Sequence, residues 1–247
     1  TGMRAPAVLW AALLLAAGLA PAGESPPAAR AGNMLVYGAG LKPLINDPNL
    51  AGNGWNEATS LTWSRLYRVG LRGRIEPDLV ERHEISADEL KWTLHLRHGV
   101  VWHDGRPVSS ADVRTTLEQL FDPNIACDLD LNLPMVAGFD YPDGRTVIIR
   151  LNQPAPLLPV PLSEIAVGPG PFRFSGRLED GALEFLRHEP FHLGRPAVER
   201  ILVREIPDDA ERAAALARGE IDIAHIKPQQ LGMVDGARAR VVRMTTG

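Results

Sequence analysis

A histidine and an aspartate stand side by side in the segment His103-Asp104-Gly105, and this pairing could support acid–base chemistry. A histidine oriented by a carboxylate can act as a general base or as a metal ligand. A hydrolase would also need a nucleophile, and the sequence contains no Gly-x-Ser-x-Gly motif. The pattern therefore favours a structural turn. We predict no catalytic residue, and a hydrolase that uses His103 and Asp104 is the less favoured alternative.

Three histidines close together in the sequence, His95, His98 and His103, are candidate zinc or nickel ligands. Such a site needs ligands that converge on the metal at about 2 Å. If His95 lies on a strand, it points to the solvent-facing side, and strand geometry does not bring all three side chains to one point. We therefore predict no metal site and no cofactor. A transport protein for nickel or a metallophore remains an alternative.

A group of charged residues in the last part of the chain could supply paired carboxylates for acid–base work. It is better explained by helix capping and a solvent-facing helix surface, because acidic side chains favour the first turn of a helix. The group comprises Asp208, Asp209, Glu211, Arg212, Glu220 and Asp222. The single cysteine, Cys127, cannot form an internal disulfide and has no activating partner nearby in the sequence.

The elements that position His103 are a strand, a turn and a helix. Apolar and polar residues alternate over 90–96, which predicts a strand with one buried face. Asp104-Gly105 predicts a tight turn, since glycine tolerates positive φ. Ser109 or Ser110 then caps a helix that ends before Pro123.

Short strands and helices follow one another along the rest of the chain, which indicates a mixed α/β protein. A strand is predicted at 34–37, a helix at 57–67 and a strand at 146–151. Six prolines between Gln153 and Pro171 exclude regular elements there, and we interpret this stretch as a connection between two subdomains. Beyond it, strands are predicted at 172–174, 183–186, 201–205, 221–224 and 241–244, with a helix from Asp208 or Asp209 to Arg218 that is closed by Gly219.

The composition is that of a globular protein of 247 residues with a formal net charge of −4. The absence of basic blocks argues against nucleic acid as a partner. Residues 1–22 combine Arg4, an apolar run and small residues, which predicts a secretory signal peptide cleaved near Ala22. Residues 23–33 are predicted to be flexible. We expect a periplasmic monomer with no stable membrane insertion after cleavage.

Four segments, in order, resemble the family-5 extracytoplasmic solute-binding proteins of ABC importers, the group of oligopeptide, dipeptide and nickel binders. The segments are 75–80 (IEPDLV), 92–113 (WTLHLRHGVVWHDGRPVSSADV), 168–172 (GPGPF), and 194–196 (GRP) followed by 216–224 (LARGEIDIA). The second is the most specific. Residues that match the family signature, with an expected structural role, are Trp102, His103, Asp104, Gly105, Pro107, Asp112, Val113, Gly219 and Asp222.

The chain departs from the family pattern at several positions. Pro169 stands where the family usually has threonine, His188 stands where an asparagine is usual, and Phe191-His192 replaces an aromatic pair. Family members continue into a second lobe, and this chain stops about where that lobe begins. The resemblance therefore implies a truncated gene, a split gene or a fragment.

The resemblance implies an α/β fold: a mixed-sheet, periplasmic binding protein-like lobe I of the type II, cluster C kind, with an inserted α+β subdomain and the second lobe missing. We expect residues 34–52 and 168–247 to form the core of the lobe. Residues 53–167 are expected to form the insert.

The resemblance also implies a periplasmic component of an ABC transporter, not an enzyme. It would bind oligopeptides or a similar small solute and deliver them to a membrane permease. Ligand contact is expected where loop backbone groups can grip an extended ligand. The expected contact residues are Ala39, Gly40, Leu41, Lys42, Gly168, Pro169, Gly170 and Phe172. A non-functional truncated remnant is a further alternative, because one cleft wall offers few contacts to offset the cost of ordering a ligand.

Overall fold

The computed structural model of the protein describes residues 33–40, 49, 57–70, 73–122, 124 and 133–234. Several predictions fall outside these residues: the signal peptide, the contact residues Leu41 and Lys42, Cys127, and the strand at 241–244. The first described elements are β1 (Met34–Ala39), α1 (Glu57–Thr62), β2 (Trp63–Arg65), β3 (Tyr67–Val69), β4 (Ile75–Pro77), β5 (Val80–Ile85), β6 (Lys91–Leu96), α2 (Ser110–Leu120), β7 (Val136–Asp143) and β8 (Thr146–Leu151). They are followed by α3 (Pro159–Leu162), β9 (Ala166–Pro169), β10 (Phe172–Arg177), β11 (Leu183–Arg187), β12 (Arg200–Glu205), α4 (Asp209–Ala217), β13 (Ile223–Ala224), a 3₁₀ turn (Pro228–Gln230) and α5 (Leu231–Val234).

The larger sheet has five strands in the order β10-β11-β12-β1-β13. Strand β11 runs antiparallel to both of its neighbours, β10 and β12, whereas β1 runs parallel to both β12 and β13. Leu35 and Tyr37 pack into the core on one face of β1, while Val36 packs with Leu202 and Ala215 on the other. A strand covered on both faces is apolar at successive positions, which explains why β1 shows no alternation.

The smaller sheet is antiparallel, with the strand order β5-β6-β8-β7. Trp92, Leu94 and Leu96 of β6 are buried, whereas Lys91 on the opposite face is exposed, so the strand predicted at 90–96 is confirmed. Helix α2 covers this core. Together the two sheets and their helices confirm the predicted mixed α/β class.

In the part of the chain that the structure describes, two segments cross from one core to the other. Leu61 packs in the larger-sheet core and Leu66 in the smaller-sheet core, so the chain changes cores at β2. The return crossing is at β9, between Val167 in the smaller-sheet core and Phe172 in the larger-sheet core. Strands β2 and β9 pair antiparallel with each other. We call this region, with the segments 101–105 and 188–192 that contact it, the junction.

Two expectations about secondary structure are wrong. The helix predicted at 57–67 ends at Thr62, where the chain enters β2. The proline-dense stretch contains the short helix α3 and the strand β9, although we expected no regular element there. Proline fits both places, because Pro159 occupies the first turn of α3, where the missing N–H is not needed, and Pro169 is the last residue of β9.

All strands of the larger sheet come from the predicted lobe core, and all strands of the smaller sheet come from the predicted insert. Ala58 and Leu61 nevertheless pack into the larger-sheet core, although their positions fall in the predicted insert. The exact division of residues between the two stays a prediction. Within the described ranges, no helix has the length and apolar character required to cross a membrane.

Candidate functional site

The carboxyl ends of three parallel strands, β1, β12 and β13, meet at one edge of the larger sheet. We call it the strand-end edge, formed by Ala39–Gly40, Glu205–Ile206 and 224–225. The Ile206 N–H donates to the Ala39 carbonyl at 2.7 Å, which extends the β1–β12 ladder. Two of the predicted contact residues, Ala39 and Gly40, lie here. Ligands of open α/β sheets bind outside the carboxyl ends of the strands, so this edge is the candidate binding site.

Arg212 lies directly under the strand-end edge, with a side chain that is only 3% exposed. Its Nη1 donates to the carbonyls of Ile206 and Pro207 at 2.6 and 3.3 Å, and its Nε donates to the carbonyl of His225 at 3.1 Å. Its Nη2 bonds to Asp209. The prediction of a solvent-facing position is therefore wrong for Arg212. Burial is tolerated because these acceptors replace water around the guanidinium.

The other charged residues around α4 cap or flank the helix. The carboxylate of Asp208 accepts the Glu211 N–H at 2.7 Å. Gly219 follows the helix with a φ of +73°, the left-handed conformation that favours glycine after a helix. Asp222 bonds twice to β1, because its carboxylate accepts the Val36 N–H at 2.7 Å and its own N–H donates to the Val36 carbonyl at 2.8 Å. Gly219 thus ends α4, and Asp222 joins the start of β13 to β1.

The signature segment at 102–107 forms a tight turn. The Gly105 N–H donates to the Trp102 carbonyl at 2.9 Å, and Gly105 has a φ of +88°. The Asp104 carboxylate accepts the Arg106 N–H at 2.9 Å, and Pro107 bridges back to Val101. Asp104 is therefore engaged in fixing the turn.

The turn leads into helix α2 through a capping box. The Asp112 carboxylate accepts the Ser109 N–H at 2.8 Å and a bond from the Arg106 guanidinium at 2.7 Å. Burial would raise the pKa of Asp112, but the bonds from Arg106 and Ser109 outweigh it and hold that pKa below its ordinary value. The next residue, Val113, is buried in the smaller-sheet core. These contacts give the signature a structural role at this corner.

Glycine at two positions of the 168–172 segment permits close packing in the junction. Gly168 has a φ of +90°, and a Cβ there would lie 2.8 Å from the Leu79 side chain. A Cβ on Gly170 would lie 2.4 Å from the backbone carbonyl oxygen of Leu61, a separation that real Cβ atoms do not adopt. Both positions therefore require glycine.

The remaining groups of this segment bond within the protein. The Pro169 carbonyl accepts a bond from the Ser64 hydroxyl at 2.6 Å, and the Gly170 N–H donates to the Thr62 carbonyl at 2.9 Å. Phe172 is fully buried in the larger-sheet core. Ligand contact by Gly168, Pro169, Gly170 and Phe172 stays a prediction.

Two imidazoles bridge the junction in opposite directions. His103 Nε2 donates to the Gly170 carbonyl at 3.1 Å, and His188 Nε2 donates to the Val101 carbonyl at 2.9 Å. Their ring centroids are 4.8 Å apart in an edge-to-face arrangement. Burial lowers the pKa of both histidines, and the nearby charge of Arg173 lowers it further. His103 therefore serves as a neutral hydrogen-bond donor to the backbone here.

A third imidazole reaches a buried carboxylate that sequence analysis overlooked. His192 Nε2 donates to Asp78 Oδ1 at 2.7 Å, and the two side chains are 3% and 0% exposed. Asp78 Oδ2 accepts the backbone N–H of Arg65 at 2.9 Å. Burial lowers the pKa of Arg65 to about 10, although Glu164 and Asp78 oppose this shift. The only sequence signal was the position of Asp78 in the motif at 75–80.

Two of the candidate metal ligands, His95 and His103, face different partners. His95 lies on the smaller sheet beside Glu84, at 3.2 Å, whereas His103 faces the junction. Across the residues that the structure describes, no three histidine, cysteine, aspartate or glutamate side chains are grouped so as to hold a metal ion. The expected absence of a catalytic or cofactor site remains an expectation.

One motif escaped the sequence analysis: residues 188–192 read His-Glu-Pro-Phe-His, the spacing of zinc peptidases. That chemistry requires a helix that places both histidines on one face, and Pro190 prevents it. The segment forms turns, with His188 bonded to Val101 and His192 bonded to Asp78. Its glutamate, Glu189, pairs with arginines instead. The motif therefore lacks the geometry of a peptidase site.

Known proteins similar to this chain are solute-binding proteins. An ABC transporter peptide-binding protein of Brucella ovis is 30% identical over 174 residues, covering 60% of this chain and 33% of the relative. A D,D-dipeptide-binding periplasmic protein of Escherichia coli K12 is 29% identical over 232 residues, covering 79% and 44%. The crystal structure of NikZ from Campylobacter jejuni in complex with Ni(L-His) matches with a TM-score of 0.75 at 23% identity, covering 85% and 46%.

The chain thus spans less than half the length of these relatives. The structural match confirms the predicted periplasmic binding protein fold. The family model described as bacterial extracellular solute-binding proteins, family 5, matches residues 74–246, which is more than half of the chain. The chain therefore belongs to the bacterial extracellular solute-binding proteins of family 5.

Proposed function

We propose that this protein is the solute-binding component of an ABC import system and that it holds a small solute at the strand-end edge for delivery to a membrane permease. The observation that carries the proposal is the edge itself, where three parallel strands end together in a chain of this family. The protein would act without catalysis, as a monomer, outside the cytoplasm after removal of residues 1–22.

Peptides are the proposed solute class. Relatives named as peptide-binding and D,D-dipeptide-binding support this choice. An extended peptide offers main-chain donors and acceptors that loop backbone can match. The proposed contacts are Ala39, Gly40, Leu41 and Lys42. Gly168, Pro169, Gly170 and Phe172 contribute mainly by fixing the junction, because their described backbone partners lie within the protein.

The experiment is a retention assay on the whole chain. Immobilised protein is incubated with an equimolar tripeptide library, washed and eluted, and the eluate and supernatant are analysed by mass spectrometry. We expect intact tripeptides in the eluate and no amino acids or dipeptides above a protein-free control. Cleavage products would contradict the absence of catalysis. Failure to retain any tripeptide would contradict the proposed solute class and site.

A further inference from the structure

The side chain of Arg212 follows one face of β1. A Cβ on Gly38 would lie 2.5 Å from Cδ1 of Ile221 and 3.4 Å from Cγ of Arg212, and a Cβ on Gly40 would lie 3.1 Å from Nη1 of Arg212. Alternate residues of a strand share a face, so Gly38 and Gly40 together leave a shallow channel. The aliphatic stem of Arg212 runs past the first glycine, and its guanidinium lies against the second.

Through this channel a single guanidinium reaches the ends of all three parallel strands. It lies against Gly40 after β1, donates to the carbonyls of Ile206 and Pro207 after β12, and donates to the carbonyl of His225 after β13. Its remaining described partner is Asp209, which also pairs with Lys227 beyond β13. The position of each strand end therefore depends on the same planar group.

We propose that Arg212 is a positioning residue for solute binding, which sets the relative positions of the three strand ends that contact the solute. The proposal rests on the proposed function of this edge. At 3% exposure, with its described donors bonded to backbone carbonyls and to Asp209, Arg212 acts through the strand ends and does not touch the solute itself. Lysine cannot replace Arg212, because all its donors lie on one nitrogen atom. The acceptors of Arg212 are distributed around the three nitrogens of a planar guanidinium.

The main test compares Arg212→Lys with Val147→Ala. Val147→Ala weakens the smaller-sheet core, far from the strand-end edge, and serves as the control for lost stability. Each variant is assayed at the same interval below its own unfolding midpoint, so that both are equally folded. We expect Arg212→Lys to retain about tenfold less of the tripeptide library than wild type, because the binding surface is no longer pre-ordered. Val147→Ala should stay within about twofold of wild type.

A second variant leaves Arg212 in place. Gly40→Ala adds a methyl group 3.1 Å from Nη1, which displaces the guanidinium by a few tenths of an ångström. We expect about threefold lower retention. Because Gly40 is itself a proposed solute contact, this variant carries the test through hydrogen exchange at Ile206 and His225 if Arg212→Lys does not fold.

A readout without solute separates this proposal from the function on which it rests. Amide hydrogen exchange is measured for Gly38–Gly40, Ile206 and His225, and for β6 and β8 as reference strands. Failure of wild type to retain any tripeptide would contradict the proposed function. Selective acceleration at the strand ends in Arg212→Lys supports the positioning of those strand ends by Arg212, whichever way that retention result falls. Equal acceleration in both sheets, or equal tripeptide retention by Arg212→Lys and Val147→Ala, would overturn the proposal.

Discussion

At the strand-end edge, Arg212 binds the carbonyls of separate strands through one guanidinium, whereas at the junction His103 and His188 each bind one carbonyl through an imidazole. Both regions hold chain segments together that are distant in sequence. At the edge one side chain serves several acceptors, so its loss would free them all. At the junction the bonds are divided among residues on both sides.

The two groups also differ in their response to pH. A guanidinium stays protonated in proteins, whereas an imidazole changes charge near neutral pH. The strand-end edge therefore keeps its bonds over a wide pH range, while the junction is sensitive to acid. The comparison therefore predicts that acid affects the junction before it affects the strand-end edge.

The largest effect is expected from removing the buried carboxylate of the junction. Asp78→Ala leaves the Arg65 N–H and the His192 Nε2–H without their acceptor in a buried site. We expect the free energy of unfolding to fall by about 4 kcal/mol in urea denaturation. Asp180→Asn, which removes the charge of an exposed partner of Arg204 but keeps an acceptor for the Ala182 N–H, should have little effect. Similar losses in both variants would show that the junction does not depend on Asp78.

Gly170→Ala tests the close packing of the same region. The new Cβ would meet the Leu61 carbonyl, which is backbone and cannot rotate away. We expect a loss of about 3 kcal/mol in the free energy of unfolding. Gly176→Ala, where nothing lies within 4 Å of the added Cβ, is the control and should change stability little. A tolerated alanine at position 170 would mean that β2 and β9 can separate at low cost.

Acid should weaken the junction before the edge. The folded pKa of His103 and of His188 lies below the ordinary value of 6.5, so the unfolded state binds more protons as the pH falls. Their stabilising effect is complete above about pH 7.5 and is lost as the pH falls through 6.5 toward the folded pKa values. We expect the unfolding midpoint to drop by a few degrees between pH 7.5 and 5.5.

The pH prediction has a matched control. The double variant His103→Gln, His188→Gln keeps a donor at each position but removes the titration, so its midpoint should change less over the same interval. As the pH is lowered, the hydrogen-exchange protection factor, corrected for intrinsic rates, should decrease at the Gly170 amide and stay constant at the Ile206 amide. An equal decrease of the protection factors at both residues would contradict the predicted difference in acid sensitivity between junction and edge.

The smallest effect is expected at the rim of the strand-end edge. Lys227 pairs with Asp209, which is already bonded to Arg212, and the lysine side chain is 56% exposed. An exposed ion pair contributes little, so Lys227→Met should leave the unfolding midpoint within about 1 °C of wild type. Thermal unfolding followed by circular dichroism provides the measurement. A larger drop would mean that the edge is held by a charge network and not by the guanidinium alone.

The sequence predicted elements well where one strand or helix carries its own pattern. Trp92, Leu94 and Leu96 alternate with polar residues, and β6 lies where that alternation places it. Strand β5 was missed because only Val80 is buried and the rest of the strand is exposed, so its pairing with β6 leaves no mark in its own residues. Helix α4 was found from Asp208 and Gly219, whose capping roles are local.

The site was less predictable, because its key contacts join distant residues. Nothing near Arg212 in the sequence indicates burial, which depends on Gly38, Gly40 and the strand ends that the fold brings together. The pairing of Asp78 with His192 shows the same limit, since the two residues are far apart in the sequence and meet only where the chain crosses between the two cores.

The double bond between Asp222 and Val36 has a consequence for how the protein meets its neighbours. Strand β13 pairs with Tyr37 and Gly38 of β1, and its ladder does not extend to Val36. Unpaired backbone N–H and C=O groups at a strand edge can pair with a strand from another molecule. The Asp222 carboxylate and amide occupy both backbone groups of Val36. Asp222 thereby leaves neither of these backbone groups open to a strand from another molecule.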